Sequence, residues 1–246
     1  MNSEGKIWAA LDCEKTRALA IAKAVGNHPA VLGFKLNRLI DAENFRKVGE
    51  LWLFRALTEF GKDLWADMKL HDIPETVAGR TEAYAQSGYF RYLTVMAKGG
   101  GRMMEAAVQA AGGKLNIIAV TELTSLSPEE ALDLSGRKVE DSVCHLADLA
   151  FDAGVRHLVS SGKELAALNA DSKLVELRKF IPAISPVWTL GDQADQKRTS
   201  TPEFALKNGA EALVIGRAIV KADDPLDAVK KTAAEIEAIQ FGGSDN

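Results

Sequence analysis

The chain of 246 residues has only two cysteines and lacks any long apolar run. Cys13 and Cys144 have no metal-ligand spacing, so neither a disulfide scaffold nor a zinc site is expected, and both thiols are predicted to stay reduced. A membrane-spanning helix needs about 18 or more consecutive apolar residues, which this sequence does not contain. The polar N-terminus, Met1 to Lys6, does not resemble a signal peptide. These absences predict a cytoplasmic protein without a membrane partner.

The sequence also lacks an excess of positive charge. Its 30 lysines and arginines stand against 34 aspartates and glutamates, which gives a net charge of -4. Nucleic-acid-binding proteins usually present a basic face, so nucleic acid is not an expected partner, although a local anion site is compatible with this composition. Also absent are a Ser-His-Asp order, a Cys/His cluster, an HExxH motif, a Walker glycine loop and a GxGxxG motif. The signatures of many hydrolases, zinc proteases and dinucleotide-binding enzymes are therefore missing.

Short apolar runs alternate with longer stretches of helical spacing, eight times along the chain. The predicted strands are Ile7–Leu11, Val31–Leu36, Leu64–Leu70, Tyr92–Met96, Leu115–Thr121, His157–Ser160, Ile181–Val187 and Ala212–Gly216. The predicted helices lie near 15–25, 42–60, 74–87, 101–111, 140–153, 163–179, 202–208 and 225–239. This order predicts one domain over residues 1–246, a (β/α)8 TIM barrel with a frayed tail at 242–246. Periodicity alone leaves a doubly wound open sheet as the alternative.

The stretch from Trp65 to Thr76 holds an unusual set of charges. Asp67 and Lys69 are predicted to point to the same face of the third strand, because side chains alternate along a strand. Asp72 is predicted to cap the helix that begins at Pro74. A carboxylate and an ammonium group inside an apolar strand cost desolvation free energy unless they are paired or used. A buried ion pair that only stabilises the strand is the alternative, and the surrounding residues favour a functional array.

Polar residues also follow the carboxyl ends of the other predicted strands, where TIM barrels place their active sites. They are Asp12, Lys35, Lys98, Thr121, Thr124, Ser160, Ser161, Ser185, Gly216 and Arg217. Gly216 and Arg217, before a short predicted helix, suit a phosphate group, although a tight turn with a surface arginine explains the same motif. The segment 187–201 is long enough to form a lid. His71 is interpreted as a structural histidine that takes no part in the chemistry.

These residue types suggest a chemistry. A lysine between two carboxylates stays cationic, so it is suited to donate a proton and unsuited to form a Schiff base. A fixed ammonium group stabilises carbanion charge that develops beside it. An aspartate next to a substrate carboxylate favours the loss of that carboxylate as neutral CO2. The array is therefore compatible with decarboxylation of a phosphorylated substrate.

The third strand carries a family motif. Its residues Asp67-Met-Lys69-Leu-His71-Asp72-Ile-Pro74-Glu-Thr76 closely resemble the Asp-x-Lys-x-x-Asp-Ile-Pro-x-Thr signature of orotidine 5'-phosphate decarboxylases. The Ile-Pro-x-Thr extension separates that family from its barrel relatives. Further matching segments follow in the expected order: Ala10-Leu11-Asp12, Phe34-Lys35, Gly99-Gly100, Ala119-Val120-Thr121, Leu123-Thr124, Asp195-Gln196-Lys197-Arg198 and Val214-Ile215-Gly216-Arg217. The resemblance implies a homodimeric barrel that converts orotidine 5'-monophosphate to UMP and CO2, the last step of de novo pyrimidine synthesis, without cofactor or metal.

The resemblance also implies a role for each matching residue. Lys69 would protonate C6 of the pyrimidine, and Asp67 would lie against the leaving carboxylate. Lys35 and Asp12 would hold the ribose hydroxyls and the charged network. The other implied contacts are Asp72 and Thr76 in the partner's site, Thr124 at the pyrimidine, and Gln196, Gly216 and Arg217 at the phosphate.

The chain departs from the family pattern in two places. After the seventh strand it has Pro186-Val187-Trp188-Thr189, where the family usually has Pro-Gly-Ile-Arg or Pro-Gly-Val. The loop glycine and arginine are missing, and Gln193 competes with Gln196 as the phosphate glutamine. After the fourth strand it has Met96-Ala97-Lys98 in place of a common His-Ala-Ser. Because both departures lie outside the Asp/Lys/Asp array, we expect the chemistry to be retained better than the phosphate affinity.

Two other functions remain open at this stage. One is a metal-dependent sugar-phosphate decarboxylase or aldolase of the same superfamily, such as keto-gulonate phosphate decarboxylase or hexulose-phosphate synthase. Those enzymes use a glutamate of the second strand to hold Mg2+, and this chain has Lys35 there. The other is a barrel that binds nucleotides but has lost turnover through its altered loop.

Overall fold

The computed structural model describes residues 1–42, 52–189 and 200–239. Eight parallel strands form a closed barrel in chain order, and the last strand pairs with the first. This closure confirms the predicted (β/α)8 barrel and shows that the open-sheet alternative is wrong. The strands are β1 (Ile7–Ala10), β2 (Val31–Leu36), β3 (Asp63–Leu70), β4 (Tyr92–Met96), β5 (Asn116–Val120), β6 (His157–Val159), β7 (Arg178–Ile181) and β8 (Ala212–Ile215).

Helices surround the barrel, and the main apolar core lies between them and the outer face of the strands. Over the described ranges they are α1 (Lys15–Val25), α2 (Arg38–Ala42), α3 (Trp52–Thr58), α4 (Pro74–Ser87), α5 (Gly101–Ala111), α6 (Pro128–Ser135), α7 (Val139–Asp152), α8 (Leu165–Ala170), α9 (Pro202–Lys207), α10 (Arg217–Val220) and α11 (Pro225–Glu237). None of the helices described is long and apolar enough to cross a membrane. The predicted tail at 242–246 lies outside the described residues.

Aromatic rings fill the N-terminal half of the barrel interior. The ring of Trp8 meets those of Trp65 and Tyr92 edge to face, with centroids 5.4 and 5.2 Å apart, and Phe180 packs against all three. A Cβ atom at Gly33 would overlap the Trp8 ring, so glycine makes room for this packing. Edge-to-face aromatic contacts add to the free energy gained by burial. The polar residues of the interior therefore lie above this layer, at the C-terminal end.

The seventh strand differs from its prediction. It was expected at 181–187, but β7 ends at Ile181. Pro182 and Pro186 lack the backbone N–H that a central strand donates to its neighbours, so this run cannot continue the ladder. The strand instead includes Lys179, whose side chain is buried. Its ammonium group donates hydrogen bonds to two carbonyl oxygens of the preceding turn, at 3.1 and 2.9 Å, and these bonds offset the cost of burying it. The helix predicted at 163–179 is correspondingly shorter, since α8 ends at Ala170.

Two helix starts also differ from their predictions. Helix α4 begins at Pro74 as predicted, but its N-cap is Ile73 and no side chain caps it. The Asp72 carboxylate accepts a hydrogen bond only from the neighbouring Ile73 N–H, at 2.7 Å, so the predicted cap is wrong. Helix α6 was not predicted, although its capping box, formed by Ser127 and Glu130, is readable in the sequence. Of the helix predicted at 42–60, α3 is described, and 43–51 lies outside the described residues.

Candidate active site

A cavity of about 340 Å3 opens at the C-terminal ends of the strands, with the Trp65 side chain among its lining residues. Most of the predicted site residues line it. They are Asp12, Lys35, Asp67, Lys69, Thr124, Gly216 and Arg217. The structure thus brings together residues from β2, β3 and the loops after β1, β5 and β8, as the position of active sites in TIM barrels requires.

A chain of opposite charges crosses the cavity wall. One oxygen of the Asp67 carboxylate, Oδ2, contacts the ammonium groups of both Lys35 and Lys69, at 2.8 and 2.7 Å. Lys35 also lies 3.4 Å from the carboxylate of Asp12. Lys35 and Asp67 are buried, whereas the Lys69 side chain is 35% exposed. Of the two ammonium groups in this row of charges, that of Lys69 is therefore the one that a molecule in the cavity reaches more easily.

The charges in this chain stabilise each other's ionised forms. Burial by itself raises the pKa of Asp67, but the ammonium groups of Lys35 and Lys69 outweigh it, and the pKa of this carboxyl group lies below its usual range. Burial likewise lowers the pKa of Lys35, but the carboxylates of Asp67 and Asp12 outweigh it and raise the pKa above its ordinary value. At neutral pH the Asp67 carboxylate is therefore ionised and the Lys35 ammonium group is protonated.

Two residues that the sequence analysis did not single out hold Asp67. The hydroxyl of Thr94, on β4, donates to Asp67 Oδ1 at 3.0 Å. The side-chain amide of Asn37 donates to the Asp67 backbone carbonyl at 2.6 Å. Thr94 carries a readable signal, because the alternation of β4 places a polar side chain on the interior face beside Tyr92 and Met96. Both oxygens of the Asp67 carboxylate thus have partners.

A further part of the cavity wall is formed after β8, the strand that pairs with β1. Gly216 and Arg217 line it together with Lys221, which the sequence analysis did not single out. Arg17, on α1, donates to the backbone carbonyl of Val220 from two nitrogens, at 3.3 and 3.2 Å, and so fixes this segment. Within the described ranges no carboxylate pairs with Lys221. Its positive charge is available to a ligand anion.

A second buried ion pair borders the cavity. The Glu122 carboxylate, just after β5, lies 2.7 Å from the Lys98 ammonium group and accepts a hydrogen bond of 2.7 Å from the Ser142 hydroxyl on α7. Glu122 lines the cavity, whereas Lys98 does not. Lys98 was predicted among the site residues, but it does not line the cavity itself. It contacts the cavity wall only through Glu122.

Several predicted residues lie elsewhere. Asp72 and Thr76 are exposed at the start of α4 and do not line the cavity. His71 is exposed and outside it as well. Thr121 donates to the Val159 carbonyl at 3.0 Å and supports the barrel wall. Three further predicted polar residues are buried without lining the cavity, namely Ser160, Ser161 and Ser185.

The predicted phosphate glutamine, Gln196, and its competitor Gln193 lie outside the described residues, as does most of the predicted lid. Among the described residues, no group of three or more His, Cys, Asp or Glu side chains is placed to hold a metal ion. The described part of the cavity therefore offers ammonium, guanidinium and single carboxylate groups to a ligand.

Comparison with known proteins decides the family. The family model for "Orotidine 5'-phosphate decarboxylase / HUMPS family" matches residues 5–232. The chain belongs to this family. A curated orotidine 5'-phosphate decarboxylase of Paramagnetospirillum magneticum is 39% identical over 244 residues, which are 94% of this chain and 97% of the relative. One of Thermobifida fusca is 44% identical over 176 residues, 71% of this chain and 73% of the relative.

A solved structure supports the same assignment. The crystal structure of orotidine 5'-phosphate decarboxylase from Lactobacillus acidophilus superposes with a TM-score of 0.72 and 26% sequence identity, and the match covers 96% of this chain and 100% of that chain. Both the sequence and the fold therefore support the membership of this chain in the orotidine 5'-phosphate decarboxylase / HUMPS family.

Proposed function

We propose that this protein decarboxylates orotidine 5'-monophosphate to UMP and CO2, the last step of de novo pyrimidine synthesis, and that it does so in the cytoplasm. The relatives that match it over most of their length carry the name of this activity. The observation that supports the proposal most directly is the Asp67 carboxylate at the cavity wall, held between the ammonium groups of Lys35 and Lys69. Charge arrays of this kind stabilise transition states electrostatically because they are fixed before the reaction begins.

The proposed step breaks the bond between C6 of the pyrimidine and its carboxylate. The electron pair of that bond stays on C6, CO2 leaves, and the Lys69 ammonium group gives C6 a proton to form UMP. Water then returns a proton to Lys69. The negative charge of Asp67 faces the substrate carboxylate and is relieved as neutral CO2 forms, while Lys69 stabilises the charge that moves to C6. In this proposal no metal and no cofactor takes part.

The proposed binding groups surround that centre. Lys35 and Asp12 hold the ribose hydroxyls, and Thr124 contacts the pyrimidine. The phosphate lies against Gly216 and Arg217, with Gln196 as a further contact. Because the chain has no excess of positive charge and none of its described helices could span a membrane, neither nucleic acid nor a membrane is proposed as a partner.

We further propose a homodimer with shared active sites. Asp72 and Thr76 belong to the family motif, yet both are exposed and outside their own cavity. Ile73, between them, is also exposed, at 63%. A partner chain that covers this segment would bury Ile73 and receive Asp72 and Thr76 at its own cavity.

Mixed dimers test the shared site. Lys69→Ala and Asp72→Ala chains are each expected to be inactive alone. On mixing and exchange of subunits, one of the two sites in each heterodimer keeps both residues, so up to about half of the activity per heterodimer is expected to return. Two Lys69→Ala preparations mixed in the same way serve as the control. If the mixture stays inactive although native mass spectrometry shows heterodimers, the site is not shared.

The function is tested by following the absorbance of orotidine 5'-monophosphate in the presence of EDTA. Rapid loss of absorbance, with UMP and CO2 as the products, is expected. The metal-dependent sugar-phosphate alternative predicts no loss of orotidine 5'-monophosphate with or without Mg2+ and no tight binding of UMP, and Lys35 in place of a metal-binding glutamate argues against it. UMP binding without turnover under either condition would instead identify a non-catalytic nucleotide-binding barrel.

A further inference from the structure

The hydroxyl of Thr94 contacts two parts of the charged array at once. It donates to Asp67 Oδ1 at 3.0 Å, and it accepts the backbone N–H of Lys69 at 2.9 Å. A longer contact of 3.5 Å joins it to the Ala66 carbonyl. Thr94 is fully buried in the barrel interior. A single side-chain atom on β4 thus joins the Asp67 carboxylate to the backbone of Lys69.

The backbone of Lys69 needs such a contact. Its φ of 47° lies in the left-handed region, which residues with a side chain rarely adopt. The pairing of β3 with β4 shifts register between Ala66 and Leu70, so Lys69 lies within the irregular part of the strand. A backbone held in this region costs on the order of 1–3 kcal/mol and persists only where its surroundings maintain it. The Thr94 hydroxyl is a partner for the N–H at this strained position.

We propose that Thr94 is a positioning residue of the active site, which holds the Lys69 backbone and the Asp67 carboxylate in the relative orientation that the reaction needs. This inference rests on the proposed decarboxylation. Thr94 does not line the cavity, so it acts through Lys69 and Asp67 and does not touch the substrate. The irregularity in β3 serves to direct the Lys69 side chain into the cavity beside Asp67.

A hydroxyl does both parts of this task with one atom, since it donates one hydrogen bond and accepts others. Valine has nearly the same shape but neither capacity, and serine keeps both. The Thr94→Val and Thr94→Ser variants therefore separate the hydroxyl from the volume of the side chain. Thr121→Val is a matched control, because it removes another fully buried barrel hydroxyl, one that donates only to the Val159 carbonyl.

The test compares the steady-state kinetics of these variants. Thr94→Val is expected to lower kcat about 10- to 100-fold with KM changed less than about threefold, as for a group that supports the transition state. Thr94→Ser and Thr121→Val are expected to stay within about threefold of wild-type kcat. The proposal is overturned if Thr94→Val keeps wild-type kcat, or if Thr94→Ser and Thr121→Val lose as much activity as it does.

A measurement without substrate separates this proposal from the proposed function. The Asp67 carboxyl group is titrated by 13C NMR in the wild type and the two Thr94 variants. Thr94→Val is expected to raise the pKa of Asp67, because the carboxylate loses a hydrogen-bond donor, whereas Thr94→Ser leaves it unchanged. If wild-type protein does not decarboxylate the substrate but the pKa responds in this way, the function is wrong and the contact of Thr94 with Asp67 stands. An equal pKa in all three proteins contradicts the positioning role.

Discussion

At the scale of single residues, the site depends on a carboxylate that is costly to bury alone. Asp67 is 6% exposed, and an isolated ion at that depth costs several kcal/mol of desolvation free energy. Two ammonium groups, a hydroxyl and the fold around them make its ionised form favourable. The same contacts keep Lys35 from serving as a free base or nucleophile. Lys69, partly exposed to the cavity, is the proton donor that we propose.

The residues of this array could be predicted from sequence because charges inside apolar strands are rare and alternation gives their direction. Asn37, Thr94 and Glu122 were missed for a different reason. Their contacts join segments far apart in the chain. The alternation of β4 indicates the face on which Thr94 lies, but it does not indicate the partner of its hydroxyl. Only the closed barrel, with its register, brings Thr94 to Asp67.

Lys221 carries a prediction at this scale. Its ammonium group lines the cavity near Arg217 and has no carboxylate partner among the described residues. We expect Lys221→Met to weaken UMP binding about three- to tenfold at low salt, with a smaller effect at high salt, because an exposed charge contact is screened. Isothermal titration calorimetry measures this.

The control for Lys221→Met is Lys114→Met, which removes the same charge just before β5, at the opposite end of the barrel. It is expected to leave UMP affinity unchanged. Equal affinities for wild type and Lys221→Met at low salt would show that Lys221 does not contact the phosphate.

At the scale of elements, the helices and strands that were predicted well have strong periodicity and clear ends. Helices α4, α5 and α11 begin within a residue of their predicted starts. Strand β7 was misplaced because two prolines lie in the more apolar run and a buried lysine lies in the true strand. Sequence reasoning treats a lysine as a surface residue, and only the turn carbonyls that its ammonium group meets make the burial acceptable.

The ion pair of Lys98 and Glu122 gives a prediction about stability. It joins the loops after β4 and β5, and Glu122 also contacts α7 through the Ser142 hydroxyl. The Glu122 side chain is 1% exposed and that of Lys98 is 28% exposed. Lys98→Met leaves a buried carboxylate without its cation. We expect it to lower the free energy of unfolding by about 2–3 kcal/mol, less than for a fully buried pair because Lys98 is partly solvated. Denaturant unfolding measures the loss.

Replacement of both partners is the companion experiment. Lys98→Met with Glu122→Leu is expected to be less destabilised than Lys98→Met alone, because no charge is left buried. The control Lys231→Met breaks an exposed ion pair with Asp227 on α11 and should cost less than about 0.5 kcal/mol. A loss for Lys98→Met no larger than this control would mean that the pair contributes nothing to stability.

At the scale of the whole molecule, the two ends of the barrel differ in composition. The C-terminal end holds the charged cavity, and the N-terminal end is closed by aromatic packing that includes His157 on β6. Alternating apolar runs favoured the closed barrel, because eight repeats of strand and helix have few other stable arrangements, and the doubly wound open sheet was the alternative that they left. They could not predict which aromatic and polar residues share a layer, since that depends on strand register.

His157 predicts a dependence of stability on pH. Burial, followed by the nearby positive charges of Arg178 and Arg91, lowers its pKa to about 4 from the ordinary value of 6.5, and the Glu211 carboxylate opposes this shift only in part. The unfolded chain binds this proton near pH 6.5, whereas the folded protein binds it only near pH 4. Stability is therefore lost as the pH falls through this window, by up to about 3 kcal/mol.

The measurement is urea unfolding between pH 7 and pH 4. The His157→Leu variant is expected to lose about 3 kcal/mol less than wild type over that range, whatever its stability at pH 7. His71→Gln, which changes an exposed histidine, is expected to follow the wild-type curve. Parallel curves for wild type and His157→Leu would contradict the buried neutral histidine.

The most direct test of the account is the activity of Lys69→Ala, measured beside wild type as loss of orotidine 5'-monophosphate absorbance. We expect decarboxylation to fall at least about 10,000-fold, because the group that we propose to protonate C6 and to stabilise its charge is gone. The variant should still fold, as judged by circular dichroism, and should still bind UMP, since the phosphate and ribose contacts remain. Turnover near that of wild type would contradict the proposed role of Lys69.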